Sequence, residues 1–492
     1  MTAAIPLTRR QTIQRAPVRP ERDYVLYWMI SARRTVDNFG LQHALFKAEA
    51  LGKPLVVFEP LRCDYRWASD RLHRFVIDGM VDNQRAFTQA EGVTYLPYVE
   101  RHLGGGKGLL QALAARACCV ITDHFPCFFL PRMVDAAAQR LDVQVEVVDS
   151  NGVLPLFEAP REFTTAYSFR RHVHKVVLGH LDAMPEANPL ASARLPKAVT
   201  PADLPLGQWR ASCFEGALTA PLASLPIDHD VAPTHVPGGS VEARRRLDRF
   251  LGEMVGVYTE RNQVERNIAS GLSAHLHFGH ISAHTVLRDL FEREAWSPDK
   301  VAPKPTGSRA GWWGMSEGAE GFVDQMLTWR ELGYTFCHVR WRDYDQFDAL
   351  PGWAIETLEV HASDRRPVIY DLEAMDQAKT HDMLWNAAQR QLRREGVIHN
   401  YLRMLWAKKI LEWSEHPRVA LDVLVELNNR YSLDGRNPNS YSGIFWCLGR
   451  FDRAWGPERQ IFGKIRYMSS ENTAKKVRVK DYIARYASRP SQ

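Results

Sequence analysis

The 492-residue sequence predicts an α/β Rossmann-like domain followed by an all-α domain. Three features of the sequence indicate this. Short apolar runs alternate with helical patterns up to about residue 150. Beyond residue 240 the patterns are almost wholly helical. Ten of the 14 tryptophans lie between Trp312 and Trp455, within the helical part.

The first domain, residues 23–150, has the alternation of a parallel sheet covered by helices. Strands are predicted at YVLYWMI, PLVVF, VTYLPYV, CCVITD and VQVEVV, with helices at 41–50, about 71–90, 109–117 and from Met133. Parallel strands that are buried on both faces read as continuous apolar runs. The loop after the first strand, SARRTVDNFG, lacks the glycine fingerprint of dinucleotide-binding folds. The GGGKG segment at 104–108 lacks the Ser or Thr of a phosphate loop, so we expect an ordinary strand–helix connection.

The other predicted segments are an arm, a connector and the helical domain. Residues 1–22 carry Arg9, Arg10, Arg15 and Arg19 ahead of the first acid, Glu21, and predict a flexible arm. Residues 151–240, which turn to Pro, Ala and Leu and end in VPGGS, predict an irregular interdomain connector. Within the domain at 241–492, helices are predicted at 241–267, 280–293, 321–332, 353–361, 372–396, 397–413 and 417–430.

Composition limits the classes of function. With 45% hydrophobic and 24% charged residues the chain is globular, and its net charge of +6 suits a polyanionic partner without requiring one. The seven cysteines have no Cys-x-x-Cys pair, so we predict no metal site and reduced thiols in a cytoplasmic protein. No run approaches the roughly 18 apolar residues of a membrane span, so we expect no membrane association.

The helical segment LRMLWAKKILEWSEH places Trp406 and Trp413 two turns apart on one side. Ordinary core packing explains such a pair, since residues seven apart share a helix face. Trp385, on the preceding helical segment LWNAAQRQL, adds a third indole. Indoles in near contact can also pass electrons between a buried redox centre and solvent. The residues by themselves favour packing and leave the relay as the minority interpretation.

The C-terminal motifs resemble a known family. THDMLWNAAQRQLRREGVIHNYLRMLWAKKILEWSEHP, LNNRYSLDGRNPNSYSGIFW and FGKIRYM are similar to the photolyase/cryptochrome family, and specifically to its class II cyclobutane pyrimidine dimer photolyases. GLSAHLHFGHIS and LTWREL match clearly, and YVLYWMISARRTVDNFGL and VDSNGVLPL match more loosely. The resemblance spans most of the chain, with the strongest part at 372–468. It implies an α/β antenna domain and a helical catalytic domain.

The resemblance implies a light-driven lyase that repairs pyrimidine dimers in double-stranded DNA. The helical domain would hold FAD, whose reduced form passes an electron to the dimer, and Trp385, Trp406 and Trp413 would re-reduce oxidised flavin. An antenna chromophore is compatible with the family, but no motif identifies it. We expect a monomer. Eight basic residues of the C-terminal tail are predicted to contact phosphates: Lys464, Arg466, Lys475, Lys476, Arg478, Lys480, Arg485 and Arg489.

Site residues follow from the resemblance position by position. The flavin-binding positions are Tyr258, Leu272, Ser273, Leu276, Arg403, Asp434 and Gly435, with Asn428 facing flavin N5. The positions expected around an extruded dimer are Trp329, Met404 and Trp446, and those expected to enter the gap left in the duplex are Trp455 and Arg466. Without the resemblance, an ordinary partly buried ion pair and a helix-terminal Asn are the favoured explanations of Arg403, Asp434 and Asn428. Core packing is the alternative for Trp329, Met404 and Trp446.

The sequence departs from the family at several positions. Gln325 replaces the glutamate expected at the dimer, and an amide neither carries charge nor donates a titratable proton. Other departures are Ala274, His275, His280, Tyr334, Thr335, Arg450 and Phe451. Two alternatives to dimer repair therefore stay open: a flavin photoreceptor that keeps the tryptophans, and a relative that acts on a different photolesion or small molecule.

Overall fold

A computed structural model describes residues 2–219, 221–266 and 268–487. The chain divides into two compact units. Unit 1 comprises residues 1–160, 177–248 and 271–293, and unit 2 comprises residues 161–176, 249–270 and 294–492. Neither unit is one continuous segment. The predicted domain limits at 23, 151 and 241 therefore stay a prediction.

The sheet of unit 1 has six strands in the order β1-β6-β5-β2-β3-β4. The strands are β1 Arg10–Gln14, β2 Tyr24–Trp28, β3 Leu55–Leu61, β4 Val93–Val99, β5 Ala117–Asp123 and β6 Val145–Val148. Strands β2 to β6 pair in parallel, and β1 pairs antiparallel with β6 at the edge. Side chains alternate between two buried faces, as Leu26 and Trp28 pack on one side and Val25 and Tyr27 on the other. The predicted α/β domain is confirmed.

Twenty α-helices occur in the described residues. They are α1 Phe39–Leu51, α2 Asp70–Thr88, α3 Leu109–Ala114, α4 Leu130–Ala138, α5 Ala166–Leu181, α6 Pro189–Ser192, α7 Glu215–Leu218, α8 Ser240–Arg249, α9 Ser273–His277, α10 Ala283–Arg293, α11 Glu317–Val323, α12 Glu331–Val339, α13 Gly352–Val360, α14 Leu372–Asp376, α15 Met383–Glu395, α16 Asn400–Trp413, α17 Pro417–Tyr431, α18 Pro438–Cys447, α19 Ser470–Lys476 and α20 Lys480–Arg485. Two π-helical segments, Phe250–Met254 and Asp324–Arg330, belong to unit 2. The helical second part of the predicted fold is confirmed.

The N-terminal segment is part of the sheet, so the prediction of a flexible arm is wrong. Arg9 is buried and donates to the carbonyl oxygen of Gly152 at 2.8 Å. Arg10 begins β1 and forms an ion pair with Glu146 of β6 at 2.6 Å. Two of the four arginines that suggested a mobile basic segment, Arg9 and Arg10, are instead partners of acceptors at the sheet edge. Such edge pairing also protects β6 from unwanted association.

Two of the predicted helices are divided into shorter segments in the structure. The predicted helix at 372–396 is two helices, because Asp382 accepts from the backbone N–H of Trp385 and starts α15 there. The predicted helix at 241–267 changes from α8 to the π-segment and then to a 3₁₀ segment, Val255–Glu260. Its predicted end, Asn267, lies outside the described residues. The predicted connector at 151–240 contains the 16-residue helix α5.

At the loop after β2, the carboxylate of Asp123 takes the place that a phosphate occupies in dinucleotide-binding folds. One carboxylate oxygen of Asp123 accepts from the backbone N–H groups of Ile30, Ser31 and Ala32 at 2.8 to 2.9 Å. The other accepts from the hydroxyl of Tyr27 at 2.6 Å. The N–H groups that could bind a phosphate are thus already occupied, which explains the missing glycine fingerprint in physical terms.

The GGGKG segment is the strand–helix connection that the sequence predicted. Gly104 and Gly108 have φ of 72° and 90°, values that favour glycine, and α3 starts at the next residue. The N–H of Gly106 donates to the carboxylate of Glu100 at 2.9 Å. A carboxylate at this position would repel a phosphate group, so the loop has a structural role.

We predict that Asp123→Ala destabilises unit 1. The substitution leaves the backbone N–H groups of Ile30, Ser31 and Ala32 without their acceptor and removes the shorter hydrogen bond of the Tyr27 hydroxyl, so the free energy of unfolding should fall by about 3 to 5 kcal/mol. Urea denaturation followed by far-ultraviolet circular dichroism measures the change. Glu91→Ala, at an exposed position of the same unit, is the control and should change stability by less than about 0.5 kcal/mol. Equal midpoints for the two variants would contradict the role of Asp123.

Candidate functional site

The three predicted relay tryptophans are buried together between α15 and α16 of unit 2. Trp385, Trp406 and Trp413 are each at most 2% exposed. The rings of Trp385 and Trp413 lie 5.3 Å apart between centroids in a T-shaped contact. The indole N–H of Trp385 donates to the carbonyl oxygen of Trp406 at 3.0 Å, and the indole N–H of Trp406 donates to Gln389 at 2.9 Å. The structure therefore places the rings of Trp385 and Trp413 in contact and joins Trp385 to the backbone of Trp406, whose own indole is hydrogen-bonded to Gln389.

Further aromatic side chains extend this group beyond Trp413. Tyr370 and His381 each lie 5.4 Å from the Trp413 ring, and the Tyr370 hydroxyl is 2.8 Å from Nδ1 of His381. Lys409 places its ammonium group 5.5 Å from the Trp413 ring centroid and forms an ion pair with Glu412 at 2.8 Å. Trp413 thus has polar and charged groups around it, in contrast to the apolar surroundings of an ordinary core tryptophan.

A polar cluster in unit 2 joins the residues that match the flavin ion pair and the residue at N5. Arg403 and Asp434 form the expected ion pair at 3.2 Å, and both side chains are partly exposed. The amide of Asn428 donates to the Ser440 hydroxyl at 3.0 Å, which in turn donates to the backbone carbonyl of Asp434 at 3.0 Å. This connected donor and acceptor set suits the polar edge of a conjugated ligand. Its role beside a flavin stays a prediction.

Gly435 is required by the backbone beside Asn428. A Cβ at this position would lie 2.8 Å from the carbonyl oxygen of Asn428 and 3.0 Å from the Cα of Asn429. Neither atom can move without shifting the end of α17. Any side chain at 435 would therefore displace Asn428.

His399, one turn before Arg403, was not predicted as a site residue. It precedes α16, and its carbonyl oxygen accepts from the N–H of Arg403 at 2.9 Å. Its Nδ1 atom is buried without a hydrogen-bond partner among the described residues. Burial lowers the pKa of this imidazole, so the neutral form dominates near neutral pH. A buried ring nitrogen with unused capacity fits contact with a bound ligand.

Gln325 and Trp329 share one side of the π-helical segment Asp324–Arg330. They are the two partly exposed residues of that segment, whose other five members are buried. Within the described residues neither the Gln325 amide nor the Trp329 indole N–H makes a hydrogen bond. Both polar groups are therefore available to a ligand. π-Helical turns inside longer helices occur frequently at functional sites.

A buried ion pair fixes this segment. Arg170 of α5 donates to both carboxylate oxygens of Asp324, at 2.6 and 3.2 Å. The bidentate geometry holds the backbone next to Gln325 in one position. Nothing in the local pattern around Arg170 indicated this role, because the two residues are 154 positions apart in the chain.

Tyr258 lies in the 3₁₀ segment Val255–Glu260, which packs against α11, the helix that leads into the π-helical segment. Its ring packs edge to face against Phe250 and Phe322, at 5.5 and 5.4 Å, and burial raises the pKa of its hydroxyl to about 12. A Cβ on Gly321, four residues before Gln325, would lie 3.7 Å from the Tyr258 ring. The other three predicted flavin positions, Leu272, Ser273 and Leu276, belong to unit 1, at and within α9.

The predicted substrate residues of the C-terminal part form a second aromatic and basic cluster in unit 2. The guanidinium group of Arg466 lies 6.0 Å from the Trp446 ring centroid and 5.1 Å from that of Trp455. Arg453 lies 4.6 Å from the Trp455 centroid, and the Trp455 indole N–H donates to Asp452 at 3.2 Å. Such cation–aromatic groups are suited to stacked bases and phosphates.

Helix α18 contacts the two elements that carry the other predicted dimer-packing residues. It carries Trp446 and packs against both the π-helical segment that bears Trp329 and the helix α16 that bears Met404. Trp446 and Met404 are partly exposed, as is Trp329. Three elements that are distant in sequence thus present the three predicted dimer-packing side chains.

The departures from the family pattern differ in their exposure. Ala274, His275 and His280 are buried in unit 1, and Tyr334, Thr335, Arg450 and Phe451 are buried in unit 2. His280 accepts from the N–H of Gly239 at 2.9 Å, and the Arg450 guanidinium lies 4.4 Å from the Phe336 ring centroid. These side chains have packing and hydrogen-bonding roles. Gln325 is the departure that is partly exposed.

The predicted basic tail is ordered in the described residues. Tyr482 and Tyr486 of the tail hydrogen-bond to Gln391 and Glu395 of α15, each at 2.8 Å. The basic side chains of α19 and α20 and the segment between them are exposed: Lys475, Lys476, Arg478, Lys480 and Arg485. Arg489 lies outside the described residues. The tail is therefore a fixed basic surface up to residue 487.

Neither a metal cluster nor a membrane span occurs in the part of the chain that the structure describes. No group of three or more His, Cys, Asp or Glu side chains there could hold a metal ion. No helix there is long and apolar enough to cross a bilayer.

The chain is similar in sequence to several known photo-lyases. The chain is 34% identical over 470 residues to a deoxyribodipyrimidine photo-lyase of Methanothermobacter thermautotrophicus, with 94% of each chain covered. It is 33% identical to one of Oryza sativa subsp. japonica, covering 94% of this chain and 87% of the relative. It is 30% identical to one of Potorous tridactylus, covering 93% and 80%.

A solved structure supports the fold independently. A bacterial class III photolyase from Agrobacterium tumefaciens superposes with a TM-score of 0.64 at 16% sequence identity, covering 94% of this chain and 86% of that one. At this identity the likeness concerns the fold. No family model matches the chain.

We predict opposite effects for two glycine substitutions near the site. Gly435→Ala should lower the free energy of unfolding by about 1 to 3 kcal/mol, because the new Cβ collides with backbone atoms. Gly443→Ala is the matched control: it is exposed within α18, and no described atom lies within 4 Å of the new Cβ. This control should gain up to about 1 kcal/mol from better helix propensity. Thermal unfolding measures both, and a Gly435→Ala variant as stable as the parent would show that the cluster tolerates a shift of Asn428.

Proposed function

The chain belongs to the photolyase/cryptochrome family, and from this premise we propose that it is a deoxyribodipyrimidine photo-lyase of the class II type. The proposed reaction is light-driven repair of cyclobutane pyrimidine dimers in double-stranded DNA by an electron from reduced FAD. The observation that carries the proposal is the connected, buried group of Trp385, Trp406 and Trp413. Indole rings in contact, as those of Trp385 and Trp413 are at 5.3 Å between centroids, suit electron transfer through a protein.

The polar cluster of unit 2 fits FAD. Asn428 offers an uncharged amide, Arg403 and Asp434 a partly exposed ion pair, and His399 a buried nitrogen with unused hydrogen-bonding capacity. These residues would hold the polar edge of the flavin ring, and an uncharged amide would serve both its neutral and its anionic forms. Reduced FAD supplies the photochemistry, while the protein supplies position and electrostatics.

Unit 2 also offers groups for the lesion and for DNA. Trp329, Met404 and Trp446 would pack against the extruded dimer, whose bases lose their stacking partners when they leave the duplex. The unpaired amide of Gln325 would donate to a pyrimidine carbonyl oxygen. Trp455 and Arg466 would contact the duplex around the gap, and the exposed basic side chains of α19 and α20 would contact phosphates.

A flavin photoreceptor is the second candidate, and Gln325 is the observation that favours it. Light sensing needs flavin and the tryptophans, but it does not need an efficient donor at the lesion. The same residue would also suit a relative that acts on a different photolesion. The partial exposure of Trp329, Met404 and Trp446 favours repair, since a chain that had lost its DNA substrate gains nothing from leaving large apolar side chains partly exposed.

We predict that Gln325→Glu raises repair per absorbed photon by roughly two- to fivefold. The lesion gains negative charge, mostly on its carbonyl oxygens, when it accepts an electron, and a stronger donor stabilises that charge more. A protonated Glu donates more strongly than an amide. The experiment compares parent and variant, both with fully reduced FAD, on one dimer-containing oligonucleotide under matched light.

Two controls support the comparison. FAD released on denaturation confirms equal cofactor content, and Gln377→Glu, at a position outside the predicted site residues, reports the effect of an added negative charge elsewhere. Repair absent from both proteins, despite reduced FAD and measurable DNA binding, would reject dimer repair and favour the second candidate.

We also predict that Trp413→Phe slows light-driven reduction of oxidised flavin at least about tenfold. Phe keeps most of the packing volume but is much harder to oxidise, and each additional 1.4 kcal/mol or so of barrier lowers a rate tenfold. Flavin absorbance during illumination with an external electron donor measures the rate. FAD content should be unchanged.

Trp341→Phe is the control for this substitution. Trp341 is 38% exposed and is not a member of the buried group. This variant should photoreduce at the parent rate. If Trp413→Phe does so too, the three tryptophans are core residues and the relay is misassigned.

A further inference from the structure

Lys408 is a buried lysine on α16 that the proposed function has not used. It is 1% exposed, and its ammonium group donates to the backbone carbonyl of Cys447. No carboxylate among the described residues lies within ion-pair distance of it. Lysine is seldom buried without an ion-pair partner, because desolvation of the ammonium group is costly. An apolar side chain would fill the same space without this cost but would leave the C-terminal carbonyl of α18 without its donor, so Lys408 combines a helix-capping bond with a buried positive charge.

Lys408 lies beside the residues that are predicted to contact the lesion. The Lys408 ammonium lies 5.8 Å from the Trp446 ring centroid, and Lys408 is one helical turn after Met404, on the same side of α16. Arg466 lies 6.0 Å from the same ring. Two cations therefore flank an indole that would contact the dimer, and one of them is shielded from solvent.

The charged groups that face Lys408 come from α18 and the residues that follow it. Burial lowers the pKa of Lys408 to about 8; the nearby Arg466 also lowers it, whereas Asp452 opposes the shift. The neighbouring Cys447 thiol is itself buried, which raises its pKa to about 11, so it stays neutral. Lys408 is thus charged at neutral pH and loses its charge in mildly alkaline solution.

We propose that Lys408 is a positioning residue that holds a buried positive charge behind Trp446 and stabilises the negative charge on the lesion during repair. This inference rests on the proposed function. In that reaction one electron moves from reduced flavin to the dimer, which then carries one negative charge, and the electron returns to the flavin after the cyclobutane bonds break. Lys408 supplies charge and transfers no proton. A charge in a low-dielectric site acts more strongly than a solvated one.

The test is the pH profile of repair yield at saturating dimer-containing DNA, with reduced FAD, from about pH 6.5 to about pH 9.5. The parent yield should fall at least about threefold across a single step near the pKa of Lys408, since a group is about 90% deprotonated one unit above its pKa. Lys408→Met, which keeps the length but not the charge, should have the low yield throughout and no step. Asp452→Asn should keep the step and move it to lower pH, because it removes a charge that favours the ammonium form.

The outcomes separate the two proposals. Lys379→Met, at an exposed position, should keep the parent profile. A parent profile without a step, or a step that persists unchanged in Lys408→Met, overturns the role of Lys408 while leaving dimer repair intact. If Lys408→Met does not fold, a step that fails to move in Asp452→Asn overturns it equally. Absence of repair by the parent at every pH removes the proposed function, and this inference with it.

Discussion

The requirement that buried indole N–H groups find acceptors determines the arrangement of α15 and α16. Trp385 and Trp406 are almost wholly buried, and an unpaired N–H there would cost about 1 to 3 kcal/mol. Trp385 meets the requirement with the carbonyl oxygen of Trp406, and Trp406 meets it with Gln389 on α15. The two bonds run in opposite directions between the helices, so they fix both the spacing and the register of the pair. The position of every other group on α16 follows from that register.

The register of α16 explains why one helix serves several tasks. Its buried faces carry Trp406 and Trp413, while Arg403 and Met404 are partly exposed. Lys408 lies one turn after Met404 and reaches α18. The sequence suggested core packing because Trp406 and Trp413, seven residues apart, share one helix face. The structure shows both: the tryptophans are core residues, and they are connected to each other.

How far the sequence predicts the structure depends on the range of the interactions involved. The strands and most helices are predictable, because apolar periodicity is local, and the ion pair between Arg403 and Asp434 was expected from the resemblance. The antiparallel pairing of β1 is not predictable in this way, since it depends on Arg10 meeting Glu146 across 136 residues. The break before α15 rests on one cap, Asp382. The roles of Arg170 and Lys408 likewise depend on partners that are distant in sequence, and a buried lysine leaves no signal in a local pattern.

The charges around the predicted lesion site form a consistent set. Asp324, the residue next to Gln325, is committed to the bidentate pair with Arg170, so its charge is neutralised where it stands. Asp452 accepts from Trp455 and lies near Lys408. With glutamine rather than glutamate at 325, the π-helical segment adds no free negative charge, and Lys408 and Arg466 leave the surroundings of Trp446 positive. A positive site attracts the phosphates of DNA and stabilises an electron on the lesion. An ionised glutamate at 325 would oppose both, so the gain predicted for Gln325→Glu requires the protonated form. On the proposed function, Gln325 is a donor whose protonation state does not depend on pH, so the pH response predicted for this site comes from the buried Lys408.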